Sequence, residues 1–151
     1  MNKSRVVFTA GVVFLSAALA VTLLIPQQET SNKSPLEVYT WDCEIPEQRP
    51  EQITLTCADG GMSVNRIEWS RWDESGAEGK GFYNVNDCDP NCVEGTFRSA
   101  PITIELSNLV EYKGRNFLRT LLVSSTNKEY LPESEQAYLE WDIMEFAEGQ
   151  E

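Results

Sequence analysis

Residues 69–95 read WSRWDESGAEGKGFYNVNDCDPNCVEG, and how this stretch folds decides the architecture of the rest. Trp69 and Trp72 stand three apart, so in a regular strand one side chain points into the core and the other away from it. Gly76, Gly79 and Gly81 resemble a phosphate loop only superficially, because no helix pattern and no Lys-Ser/Thr pair follows them. They read instead as a hairpin, or as a strand where two backbones approach closely. Asp89-Pro90-Asn91 is a turn-forming triplet between Cys88 and Cys92, able to bring the two cysteines within disulfide reach. The stretch is therefore β structure closed by a cross-linked loop.

Working outward, short apolar runs alternate with polar residues on both sides of it. Ile53, Leu55 and Cys57 alternate with Thr54 and Thr56, Ile67 and Trp69 flank Glu68, and Ile102, Ile104 and Leu106 flank Thr103 and Glu105. Breakers punctuate the chain at Arg49-Pro50, Asp59-Gly60-Gly61, Glu74 to Gly81, Asp89-Pro90 and Lys113-Gly114. This spacing predicts an all-β domain, a small disulfide-stabilised β-sandwich or open barrel. Residues 117–124, FLRTLLVS, are apolar on both parities and read as a strand buried on both faces. Leu139, Trp141 and Ile143 alternate as a strand does, although Leu139, Ile143 and Phe146 also fit a helical stripe after a Ser134 cap. The strand is favoured.

Residues 6–25, VVFTAGVVFLSAALAVTLLI, carry no charge and match the roughly 20 residues of a membrane-spanning helix. Lys3 and Arg5 precede them, which keeps the amino terminus in the cytoplasm and exports the remainder. The length favours an uncleaved anchor, while Ala18-Leu19-Ala20 leaves secretion after cleavage as the alternative. Residues 1–25 are thus a signal-anchor or signal peptide, 26–36 a polar tether, and 37–151 one extracytoplasmic β domain. Beyond residue 25 stand 10 basic and 24 acidic side chains, a net charge of 10 − 24 = −14. Such a field repels nucleic acid and gives no basic patch for anionic lipid.

Cys43, Cys57, Cys88 and Cys92 all lie on the exported side, where an even number reads as two disulfides. A four-thiolate zinc site needs two to four residues within each pair, and the spacings here do not offer it. Four cysteines allow three pairings, of which Cys88–Cys92 with Cys43–Cys57 is favoured by the turn triplet. The expected compartment is oxidising.

Catalysis finds little support. The chain has no histidine, which removes the commonest general base and metal ligand, and no serine sits in a nucleophile context. Neither a metal nor a cofactor is expected. A carboxylate-dependent glycan hydrolase is the enzymatic alternative, but 24 acids always supply some suitable pair. The binding candidates are whichever of Trp69 and Trp72 faces solvent, together with Asn86, Asp87, Asp89 and Asn91 in the cysteine loop. Asn84 and Glu94 extend that loop's oxygen-rich composition, which calcium favours, without the spacing of an EF-hand. Trp41 and Trp141 are read as core residues.

Trp69-Ser70-x-Trp72, Asn86-Asp87-Cys88-x-Pro90-x-Cys92 with Gly95, Cys57-Ala58-Asp59-Gly60 and Pro101-Ile102-Thr103-Ile104 together carry a resemblance. The pattern resembles a group of small secreted or membrane-anchored actinobacterial proteins of unknown function. It implies export, disulfides and a small β fold, and it supplies no activity. The expectation is a non-catalytic interaction module at the cell surface, meeting a protein or an envelope component. An accessory subunit of a membrane complex is the further alternative.

Overall fold

The computed structural model describes residues 36–145 and 147; the membrane segment at 6–25 and the tether up to residue 35 lie outside the described residues. The chain forms β1 (Val38–Asp42), β2 (Ile45–Glu47), β3 (Gln52–Thr54), β4 (Met62–Asp73), β5 (Gly76–Asn86), β6 (Phe97–Tyr112), β7 (Arg115–Ser125) and β8 (Tyr138–Asp142). They make a single sheet in the order β2-β1-β7-β6-β5-β4-β3, with β8 added to β7. The pairs are antiparallel except β1 against β7, which is parallel. The sheet curls into a half-barrel, so its opposite margins meet. Asp42 Oδ1, at the end of β1, accepts the Thr54 amide at 2.8 Å from the end of β3, and Cys43 is bonded to Cys57 just beyond. The all-β expectation stands, and the sandwich half of it is corrected: a sandwich needs two stacked sheets, and here one sheet bends round its own core.

Alternation decides which side chains fill that core. In β6, Ile102, Ile104 and Leu106 are buried while Pro101, Thr103 and Glu105 are exposed. Val64, Tyr83, Val85, Leu118, Leu121 and Val123 join them on the concave side, each contributing about 1.5–3 kcal/mol by burial. β7 is buried on both faces at Phe117 and Leu118; further along, Leu121 and Val123 are buried while Leu122 and Ser124 are half-buried, so the expected double burial of 117–124 holds in part. Leu118 looks into the half-barrel, whereas Phe117 lies in a second cluster with Met144 and Ala147, flanked by Tyr39, Trp41 and Tyr112. One polar atom inside is unmet: Thr40 is fully buried, and its Oγ1 has no partner among the described residues.

Two β-bulges interrupt β4, between Asn65 and Glu68 and between Trp69 and Arg71. Opposite them the glycines of β5 are inward positions. A Cβ on Gly81 would sit 2.8 Å from the Asn65 carbonyl, and one on Gly79 would sit 2.9 Å from that of Glu68. The stretch from Glu74 to Gly81, expected as punctuation, is therefore corrected to a two-residue turn at Glu74-Ser75 followed by strand. The glycines admit close backbone contact along the bulged strand. The run through Leu55 and Cys57 is likewise shorter than its alternation suggests, because β3 ends at Thr54 and Cys57 sits in a turn. Lys113-Gly114, with φ of 49° and 76°, forms the tight primed turn between β6 and β7. In the tail, residues 138–142 are strand, and 143–145 turn away from it.

Candidate functional site

The two tryptophans chosen from the sequence do not part across the sheet. The bulge between Trp69 and Arg71 shifts the parity of β4 by one, so both indoles face the core, and their rings meet edge to face at 4.8 Å. Each N–H is used: Trp69 Nε1 donates to the Pro50 carbonyl at 2.8 Å, and Trp72 Nε1 to that of Val38 at 3.0 Å. Trp72 thereby joins β4 to β1 across the mouth of the half-barrel. The expectation that the pair faces opposite sides is corrected; both rings are half-buried against the core, and Trp69 also borders a surface groove.

The loop between β5 and β6 binds itself. Cys88 is bonded to Cys92, with their Cα atoms 3.8 Å apart. Asn86 Nδ2 donates to the Cys92 carbonyl at 2.8 Å, and Asn86 Oδ1 accepts the Cys88 amide at 2.9 Å. Asp87 Oδ1 accepts the Thr96 amide at 2.8 Å, and Oδ2 lies 3.4 Å from Arg98. The backbone N–H of Thr96, then that of Asp89, and then Arg98 hold the Asp87 carboxyl below the ordinary Asp range. Asn91 Oδ1 accepts the amides of Val93 and Glu94. A Cβ on Gly95 would fall 2.1 Å from Asn86 Oδ1, which explains the glycine there. Asn86, Asp87 and Asn91 thus spend oxygens on the loop's own backbone; Asp89 and Asn91 lie at the exposed tip beside Val93, which is 95% exposed.

A cleft opens elsewhere, and its origin is the topology of β7. One edge of β7 is shared, with β1 pairing at Asn116 and Phe117 and β8 pairing from Thr120 to Ser124. Past those registers β1 and β8 diverge, and the gap between them is a cleft of about 450 Å³. Trp41, Trp141, Leu55, Ile143 and the Cys43–Cys57 pair supply its apolar lining. Glu44, Glu140, Asp142 and Glu145 supply carboxylates, and among the described residues that line it none is basic. Both tryptophans are half-buried. Trp41 packs edge-on against Phe117 at 5.3 Å, and Trp141 lies 6.2 Å from Tyr83. Arg119 secures the fork: its Nε is 2.9 Å from both Asp142 oxygens and its Nη2 is 2.7 Å from Oδ2. That pairing lowers the Asp142 carboxyl below its ordinary range, although partial burial pushes the other way.

A groove of about 560 Å³ also crosses β4 to β7, lined by Glu68, Trp69, Glu78, Lys80, Thr103 and Glu105 among others. Its charges are of both signs, and Glu78 is already paired with Arg71 at 2.9 Å. It offers no aromatic pair and no shared sign of charge, so the cleft is the stronger site. Comparison of the chain with protein-family models, with curated proteins and with solved structures gives no match.

Sequence reading placed Trp41 and Trp141 in the core and missed the cleft, whose lining comes from three distant segments. One local signal was present. Trp41-Asp42, Trp72-Asp73 and Trp141-Asp142 are Trp-Asp pairs, and each aspartate is the last residue of its strand.

Proposed function

We propose that this chain is an exported, non-catalytic binding domain, held at the outer face of the cytoplasmic membrane by residues 6–25, which receives a protein or envelope component in the cleft. The observation that carries the reading is the meeting of Trp41 and Trp141 in one half-buried, disulfide-walled cleft at the fork of β7. Half-buried tryptophans on a rigid wall give a partner large contact area at small entropic cost. Two disulfides point to the oxidising compartment where such a partner is met. A glycan hydrolase needs one carboxyl held protonated beside an ionised one, and the Asp142 carboxyl, bonded to Arg119 and lowered by it, suits only the ionised role.

The test is site-specific photo-crosslinking of the full chain in its native membrane. A benzophenone side chain at position 145, on the cleft, is compared with one at the exposed position 129, on the loop after β7. A discrete adduct from 145 and none from 129 is the expected result. Equal or absent adducts sink the reading. Release of reducing ends from purified cell-wall glycan by the full chain would replace it with the hydrolase.

A further inference from the structure

We infer that the cleft takes a basic side chain from an extended segment of a partner polypeptide, whose main chain pairs with the open edge of β8. This rests on the cleft being the binding face and adds the chemistry of what enters it.

Three observations converge on that occupant. The first is the lining. An indole face attracts an ammonium or guanidinium head, and apolar neighbours such as Leu55 and Ile143 suit the methylene stem behind it. The second is charge. Arg119 answers Asp142, while Glu140 and Glu145 stand exposed at the rim, in a domain whose net charge beyond residue 25 is 10 − 24 = −14. Anionic ligands are repelled from this cleft, and a neutral sugar can donate hydroxyl hydrogen bonds to its acids but leaves their charge unanswered, which a basic side chain neutralises. The third is the strand edge. β8 pairs with β7 on one side, and among the described residues no strand pairs with its other side. Tyr138, Glu140 and Asp142 are exposed along it. Main-chain groups on such an edge bind an extended peptide as an added strand, and a pocket beside the edge selects its side chain. A small organic cation uses the aromatics but not the edge, which is why the occupant is a polypeptide.

The experiment is calorimetric titration of the full chain in neutral detergent micelles with three probes: acetyl-Thr-Val-Lys-Val-Thr-amide, the same peptide with Gln for Lys, and N-acetyl-lysine methylamide. The lysine peptide should bind at least tenfold more tightly than either other probe. Its affinity should fall at least fivefold in a Glu140→Gln/Glu145→Gln chain, whose exposed substitutions leave the fold intact. Amide resonances of residues 138–142 should shift with the peptide alone. Equal binding of the lysine and glutamine peptides overturns the inference, as does indifference to the double substitution. Equal binding of the small amide overturns the polypeptide. If the crosslink at 145 forms while no probe binds, the binding-domain reading stands and this one falls; if neither occurs, both fall.

Discussion

Asp142 holds the fork of β7 by accepting from Arg119 and from the Met144 amide at 3.0 Å. Asp73 does the same local work, accepting the Ser75 amide at 2.8 Å, and Asp42 accepts across to β3. In each Trp-Asp pair the indole fills space and the carboxylate ends the strand, which is a turn device of short acidic side chains. Because the Asp142 carboxyl is lowered on folding, its contribution is present above the ordinary Asp value of 3.8 and is lost as pH falls through the lower folded value. The net negative charge acts oppositely, so the informative quantity is a difference. Asp142→Asn should lower stability by about 0.5–1 kcal/mol at neutral pH, as exposed bidentate pairs do. The gap between the two chains should close as acidification carries the pH below 3.8 and through the lowered folded value, read from thermal midpoints. A gap that persists there would assign the effect to shape rather than charge. These pairs are visible in the sequence, but the partners they bind are not, since Arg119 stands 23 positions from Asp142.

At the scale of elements, β5 and β4 are fitted to each other. β4 bulges twice, and the inward positions of β5 opposite the bulges are glycine, so the strands come closer than side chains allow. Gly81→Ala should cost about 1–3 kcal/mol in urea unfolding, because the obstacle is a backbone carbonyl that cannot swing away. A neutral result would mean that β4 relaxes and that the curl does not depend on this contact. Alternation alone revealed β6 and the existence of β7, though β7 is doubly buried only at Phe117 and Leu118. It misplaced the faces of Trp69 and Trp72, because a bulge inserts one residue without leaving a compositional mark, and one residue reverses every side chain that follows.

At the scale of the domain, Cys43–Cys57 joins the margins of the curled sheet and walls the cleft. With a sequence separation of 14, its loss in a Cys43→Ser/Cys57→Ser chain should cost about 3 kcal/mol in the chain-entropy account. Cys88–Cys92, separated by 4, should cost less, and the reverse ranking in urea midpoints would contradict that account. The pairing was legible from the turn triplet, whereas the cleft was not, because it exists only once β1 and β8 reach the same edge of β7. That sharing also orders the folding of the chain. β4 to β7 are successive antiparallel neighbours and can assemble from contacts close in sequence, but Val38 meets its parallel partner Asn116 only across 116 − 38 = 78 positions. Loop closure over that span is slow, and β8 is the last described strand in the chain. β8 pairs with β7 across only 142 − 120 = 22 positions or fewer, so the units from β3 to β8 are expected to assemble before β1 docks, leaving the Asn116–Phe117 end of the β7 edge bare. The cleft, which needs β1 beside β8, is then expected to close last, and a chain stalled before that step exposes the short stretch of β7 edge that β1 would cover.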